Sequence, residues 1–354
     1  MAEIVLENVS YTYPGESAPT LAGLNLTIEH GRAHALLGAS GAGKTTMLNL
    51  LSGLLHPSSG RILFDGVDVS LLDARARDVA LVFQFPVLYE SLSVIENLVF
   101  PLMNRGWQRT DAVSRAVEIS TELGIEGIHD AKPAVLSLFQ KQLVAIGKSL
   151  MRDDVDLVLL DEPLTAVEPS IKWRLRQTLT RLQQSHGLTM VYVTHDQTEA
   201  LTFAEEVSVM ARGTILQTGK PVDIFQSPNC RFVGHFIGSP GMQFVDCDVA
   251  DRTARLTGHN SDEVAVALDL PNGHYQLGAR VEWVRVRREP GSWQVQGSTI
   301  LGTEVGEARV LLTLTMGDQK LQAQATGKWS VGDNVNVIFD RFILFDDEKA
   351  VVNG

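Results

Sequence analysis

Three stretches of the chain carry residue types that could act on a phosphate ester. In the first, Leu36-Leu37-Gly38-Ala39-Ser40-Gly41-Ala42-Gly43-Lys44-Thr45-Thr46, an apolar run ends in glycines, a lysine and hydroxyls before a leucine-rich pattern of helical period. The spacing from Gly38 to Gly43-Lys44-Thr45 fits G-x-x-x-x-G-K-[ST], whose glycines let backbone N–H groups close around a polyanion with no Cβ in the way. The anion then sits at the positive end of the following helix. Lys44 would reach the β- and γ-phosphates as a point charge, and the Thr45 hydroxyl would take one position on Mg²⁺. A glycine-rich turn before a helix is the plainer alternative, but a strand and a helix flank the motif as its mechanism requires.

The second stretch is Asp156-Leu-Val-Leu-Leu-Asp161-Glu162-Pro163, an apolar strand that delivers two carboxylates and stops at a proline. Alone it is an ordinary strand end; downstream of a phosphate loop it matches the acidic half of a nucleoside-triphosphatase. Asp161 would hold Mg²⁺ through water, and Glu162 would polarise the water that attacks the γ-phosphate. The third, Thr189-Met-Val-Tyr-Val-Thr194, delivers His195-Asp196 in the same way. A single histidine is usually structural, but a strand end on this sheet edge is where a γ-phosphate sensor belongs.

These loops need an α/β core to hold them, and 354 residues at 44% apolar and 20% charged are enough for two or three domains. The net charge of −12 offers no basic stripe for a nucleic-acid backbone. Arg285-Arg287-Arg288 is a local exception that reads as the solvated face of a strand. Cys230 and Cys247 have neither zinc nor redox spacing, which fits a reducing cytosol and inert packing roles. No signal peptide is expected before the first strand, and no apolar run is long enough to cross a bilayer, so a membrane role would require a partner.

Residues 3–9 and 21–28 alternate as strands around a Pro14-Gly15 turn, with Tyr13 just before it. Tyr13 is a surface aromatic or, once ATP binding is accepted, a platform for a purine. Gly60 to Val69 reads as a hairpin about Asp65-Gly66. Val79 to Gln84 reads as a short buried strand that Phe85-Pro86 must stop, leaving Gln84 as a strand-end amide. Residues 92–150 are helical throughout, an insertion in the α/β core. Beyond Gly238-Ser-Pro240-Gly241, taken as a linker, short alternating runs such as Leu312–Met316, Leu321–Ala325 and Val335–Phe339, with a hairpin turn at Gly317-Asp318, predict a small β-barrel.

In this order the residues resemble the ATPase subunits of ABC transporters, within them the carbohydrate-importer branch of the maltose ATPase, over nearly the whole chain. Gly38 to Thr46 correspond to Walker A, Gln84 to the Q-loop, Leu157 to Asp161 to Walker B, Glu162 to the catalytic carboxylate and His195 to the switch histidine. Tyr13 falls where the family stacks adenine. The resemblance implies a phosphate-loop ATPase at 1–237 with a helical subdomain at about 90–150, then an oligonucleotide/oligosaccharide-binding-like (OB-like) regulatory domain at 242–354. Phe232 to Met242 resembles the junction between them, and Val335 to Asp346 the closing strand. ATP and Mg²⁺ are the implied cofactors, with Thr45, Gln84 and Asp161 as the metal set. The implied partners are two transmembrane permease subunits and, indirectly, a solute-binding protein, with the chain peripheral on the cytoplasmic face of the inner membrane.

Two departures stand out. Where the family has Leu-Ser-Gly-Gly-Gln, this chain has Leu136-Ser137-Leu138-Phe139-Gln140, and where the D-loop ends in Asp it has Thr165-Ala166-Val167-Glu168. Both elements act on the partner's nucleotide, Ser137 and Gln140 being the residues left for that contact. Such changes resemble importers that pair two different ATPase chains, glycerol and polyol uptake systems among them. Phe85 to Tyr89 lies where the family grips its membrane subunits, but reads equally well as core. The competing functions are a hydrolysis-deficient, ATP-binding partner of another ATPase, against which Lys44, Asp161, Glu162 and His195 speak, and a soluble ABC protein of DNA or ribosomes, which would carry two cassettes or a basic arm.

Overall fold

The structure, a computed structural model, describes residues 3–152, 155, 157–165, 167–257, 263–265, 268–288, 295–305, 310–316, 318–347 and 349–353. Asp156, Ala166 and Gly317, named above, lie outside the described residues. The chain divides into two compact units, Met1–Pro221 and Val222–Gly354.

In the first unit, β1 (Ile4–Tyr11) and β2 (Leu21–Ile28) pair antiparallel, and β3 (Ala33–Gly38) leads into α1 (Lys44–Ser52). β4 (Ser59–Phe64) and β5 (Val67–Asp68) form the expected hairpin, its turn residues Asp65 and Gly66 both at positive φ (47° and 77°), as the twist of a two-residue hairpin demands. These strands make a sheet in the order β2-β1-β4-β5. After β6 (Val79–Val82) comes the helical insertion of α2 (Val94–Met103), α3 (Arg109–Leu123) and α4 (Leu138–Leu150). α2 starts on a capping box between Ser93 and Glu96, and α3 stops at Gly124 in the left-handed region.

The core then resumes with β7 (Leu157–Asp161), α5 (Pro169–His186), β8 (Thr189–Thr194), α6 (Gln197–Phe203), β9 (Glu206–Ala211) and β10 (Thr214–Gly219). The second sheet has the order β10-β9-β3-β8-β7-β6 and is parallel from β9 to β6. β3 and β8 are buried along their whole length, which is why they read as continuous apolar runs rather than as alternation. No helix among the described residues is long and apolar enough to cross a membrane.

The second unit opens with α7 (Pro221–Gln226) and α8 (Arg231–Phe236) and is β-structure thereafter. β11 (Gln243–Ala250), β12 (Thr253–Leu256), β13 (Glu263–Ala265) and β14 (Gly273–Ala279) belong to one sheet. β15 (Val284–Arg287), β16 (Val295–Val305), β17 (Val310–Met316), β18 (Gln319–Ala325) and β19 (Asn334–Phe339) make the other, in the order β15-β19-β16-β17-β18. β20 (Ile343–Asp346) and β21 (Lys349–Asn353) return to the first, beside β14. Val335 to Asp346 is therefore two strands in different sheets, not one closing strand. Both sheets feed one core that includes Cys247, Leu277, Ile300, Leu314 and Val337. Burial pushes the Cys247 thiol up to about 12, so it is a packing residue. Arg285 is paired with Asp340 and Arg288 with Asp333, so both are neutralised on the strand surface.

The division at residue 221 comes earlier than the expected change at 237–242, because α7 and α8 are tied to the β-strands that follow. Cys230 bridges to Lys349, and Ala350 N–H donates to the Asn229 carbonyl. Gly238 to Gly241 is not an open linker but a packed turn. Gly238 and Gly241 bridge each other, Met242 N–H donates to Gly234, and a Cβ on Gly241 would lie 1.9 Å from the His235 carbonyl. The buried Arg280 closes this turn. It donates to the Phe225 carbonyl at 2.9 Å and to the Ile237 carbonyl, and its guanidinium stacks 3.9 Å from the Phe225 ring. Burial lowers its pKa to about 10, so it remains a cation at neutral pH.

Arg280→Met keeps the apolar bulk but removes the donor to the buried Ile237 carbonyl and to the part-buried Phe225 carbonyl, and is expected to destabilise the unit by about 3 kcal/mol. Urea unfolding of the full chain checks this. A midpoint that does not move would mean that the turn holds without the guanidinium.

Candidate active site

Four strand ends supply the site. β3, β8, β7 and β6 are neighbours in that order and run parallel, so Gly38, Thr194, Asp161 and Val82 finish on one edge of the sheet. Open α/β sheets gather their ligand-bearing loops at this carboxyl edge.

The loop after β3 needs glycine for two different reasons. At Gly38 a Cβ would lie 2.5 Å from the Met210 carbonyl of β9, so the strand could not turn away there. At Gly43, the N-cap of α1, φ is 98°, a left-handed conformation that also places the missing Cβ 2.5 Å from Leu21 Cδ2. Between them Ala39, Ser40 and Gly41 are exposed, while Ala42 is buried and accepts from Gly213 N–H at 3.1 Å. Lys44 is buried and folds back over the loop, its Nζ donating to the Gly38 and Ala39 carbonyls at 2.8 and 3.1 Å. Burial lowers the pKa of its ammonium, while Glu162 and Asp161 pull the other way.

Those two carboxylates end β7. The Asp161 pKa is raised, first by burial and then by Glu162, whereas Lys44 and a hydrogen bond from Thr45 lower it. Thr45 and Asp161 thus stand together as oxygen donors of the kind a Mg²⁺ ion takes. Glu162 has φ of 44°, a left-handed conformation that costs a non-glycine residue about 1–3 kcal/mol and marks a backbone held by its surroundings. Its N–H donates to Val193 of β8 at 2.9 Å. Its Oε2 lies 3.1 Å from His195 Nδ1 and accepts from the Thr165 hydroxyl at 3.1 Å. The two strand-end motifs, 33 residues apart in the sequence (162 to 195), therefore meet at a carboxylate–imidazole contact. A carboxylate so oriented can accept a proton from water, with the imidazole alongside.

Tyr13 is anchored from below, its hydroxyl 3.2 Å from Thr46 Oγ1 at the start of α1 and its ring 4.9 Å edge-on to Tyr11. Gln84 lies two residues past the end of β6, not at the strand end itself, and is partly buried. Ser137 and Gln140 stand apart from the strand-edge group, at the N-terminus of α4. There the Ser137 hydroxyl accepts from Gln140 N–H at 3.2 Å and the Gln140 side chain accepts from Ser137 N–H at 2.9 Å, a closed capping box.

The apolar run after β6 is surface, not core: Phe85 is 67% and Val87 62% exposed. Beside it, Phe83, Val87, Pro101, Lys148 and Arg152 line a cleft of about 260 Å³. Lys148 stacks 4.3 Å from the Tyr89 ring.

Sequence reasoning placed Thr165 in the D-loop without its bond to Glu162, and assigned no role to a buried carboxylate, Glu199, which receives Tyr192, Thr194 and Lys172. The available signal was Asp196-x-x-Glu199, which reads as an ordinary exposed helix cap.

The ABC transporter family model matches residues 21–165. The Fe(3+) ions import ATP-binding protein FbpC of Brucella abortus is 41% identical over 85% of this chain and 86% of its own length. The sn-glycerol-3-phosphate import ATP-binding protein UgpC of Psychromonas ingrahamii is 33% identical over 99% and 95%. Among solved structures, cbiO1 of Clostridium perfringens, part of the ABC transporter complex cbiONQ, superposes with a TM-score of 0.60 at 30% identity, covering 63% of this chain and 90% of that one. Sheet order, phosphate loop and strand-end carboxylates agree with these likenesses: the chain belongs to the ABC transporter family, as an ATP-binding subunit of the import type, and is an ATPase.

Proposed function

We propose that this chain hydrolyses ATP to drive uptake of a carbohydrate or polyol, glycerol among them, through two separate membrane permease subunits, and that it does so paired with a second, different ATPase chain. The observation that carries the reading is the convergence of Lys44, Asp161, Glu162 and His195 on one sheet edge. Tyr13 stacks on adenine, and Gly38 to Thr46 wrap the phosphates, with Lys44 leaving the loop carbonyls for the β- and γ-oxygens. Thr45, Asp161 and Gln84 hold Mg²⁺, which when bound neutralises phosphate charge. Glu162 takes a proton from the attacking water, and His195 holds the γ-phosphate against it. The exposed Phe85 and Val87 and the adjoining cleft serve as the seat for a permease segment.

The pairing rests on α4. Ser137 and Gln140 spend their side chains on each other, and Leu138 and Phe139 stand where backbone would otherwise approach a partner's γ-phosphate. The likeness to UgpC, which spans both units, supports a polyol cargo; the likeness to FbpC names Fe(3+) as the rival.

The test is purification of the tagged chain from membranes, followed by uptake with the recovered components. Two permease subunits and a second ATPase are expected, with ATP-dependent uptake of glycerol or a related polyol. Phe85→Asp should lose the permeases while retaining ATP binding. Full coupled transport by a homodimer of this chain would overturn the pairing, and uptake of iron instead would overturn the cargo.

A further inference from the structure

The turn carrying His195 is held by a polar cluster contributed by β8, α5 and α6. Glu199, on the first turn of α6, is 2% exposed and receives three donors: the Tyr192 hydroxyl at 3.0 Å, the Thr194 hydroxyl at 2.8 Å and Lys172 Nζ at 2.8 Å. The Thr194 hydroxyl also accepts from Asp196 N–H at 3.0 Å, and the Asp196 side chain accepts from Thr198 N–H at 2.8 Å and Glu199 N–H at 3.2 Å. The residues on both sides of His195 are therefore fixed, and both are fixed through Glu199 or its helix. Lys172 adds a longer contact to Asp196, 3.8 Å.

Lys172 sits in the first turn of α5, the helix that leaves the loop beginning at Thr165, and Thr165 itself bonds Glu162. Thr165 is thus bonded to the carboxylate of the Glu162–His195 contact, and Lys172 to the support of His195. Such bonds to a buried carboxylate are charge-assisted and about twice as strong as neutral ones, and misplacing a reacting group by about 1 Å can cost about 10² in rate.

We propose that Glu199 is a positioning residue for His195, and that Lys172 extends this support to the first turn of α5. The inference rests on the reading of Glu162 and His195 as the hydrolytic pair. Glu199 acts at a distance from the nucleotide, so it should alter turnover and leave nucleotide affinity alone.

The experiment is a double-mutant cycle in the full-length chain, assembled with the subunits that co-purify with it, measuring kcat and KM for Mg-ATP and the thermal midpoint. Glu199→Gln preserves size and acceptors for Tyr192 and Thr194. It is expected to lower kcat by about 10-fold to 10²-fold with KM changed less than about twofold. In a His195→Ala background the same change should lower kcat by less than about twofold, while its effect on the thermal midpoint is the same in both backgrounds. Additive losses of kcat in the two backgrounds, or no loss in the parent, would overturn the proposal. A His195→Ala chain with unaltered kcat would instead overturn the underlying reading of the pair. Should Glu199→Gln fail to fold, Lys172→Met and Lys172→Arg carry the test. Loss with Met and retention with Arg support the positioning role; equal turnover in both removes it.

Discussion

Lys44→Ala is expected to weaken ATP binding by about 10²-fold or more. One charge-assisted bond from an ammonium to a phosphate accounts for about 1.5–3 kcal/mol, and in the proposed site this lysine would serve two phosphates. The substitution also removes the donor shared by the Gly38 and Ala39 carbonyls, so the loop loses its internal brace along with its charge. Equilibrium titration with a fluorescent ATP analogue reads the loss, and a thermal midpoint measured alongside shows that the fold persists. An unchanged Kd would remove the phosphate-loop assignment.

Glu162→Gln is expected to leave ATP binding intact and lower turnover by about 10²–10⁴-fold, the range over which a positioned general base acts. The amide is isosteric and keeps an oxygen for Thr165, but it cannot take a proton from water. Single-turnover hydrolysis in the assembled transporter is the measurement. Under the proposed pairing, the same change at the corresponding residue of the second ATPase chain should be tolerated better, since that chain's nucleotide would face Leu138 and Phe139. A Glu162→Gln transporter that turns over within a few-fold of the parent would strip Glu162 of its role, and equal losses in both chains would remove the asymmetry.

The parts of this molecule that could be read in advance are those in which a short segment determines its own shape. Gly38 and Gly43 are demanded by backbone geometry, and β8 runs from Thr189 to Thr194 as its apolar run predicts. The Asp65-Gly66 hairpin carries its turn chemistry in two residues. What could not be read depends on remote partners. Nothing within 238–241 announces that Arg280, some forty residues on, will close that segment into a packed turn. Glu199 looks like a cap until Tyr192 and Lys172 are brought beside it by the sheet and by α5. Phe85 and Val87 have the composition of core yet are exposed, and composition alone does not separate a buried apolar run from one left on the surface. Val335 to Asp346 splits between sheets for a reason of packing: each half carries three consecutive buried residues, Val335–Val337 and Ile343–Phe345, and Ile343 and Phe345 pack with Met242 in a cluster of their own.

The closed box at the start of α4 has one further consequence. Glycine at 138 and 139 would cost about 1 kcal/mol per residue in a helix, whereas leucine and phenylalanine cost less. Ser137 and Gln140 complete the first turn without outside help. In the proposed pairing, the two side chains that would keep the backbone back from a neighbour's nucleotide are thus the same two that favour the helix beneath them, so local order here and catalytic service to another chain would pull in opposite directions.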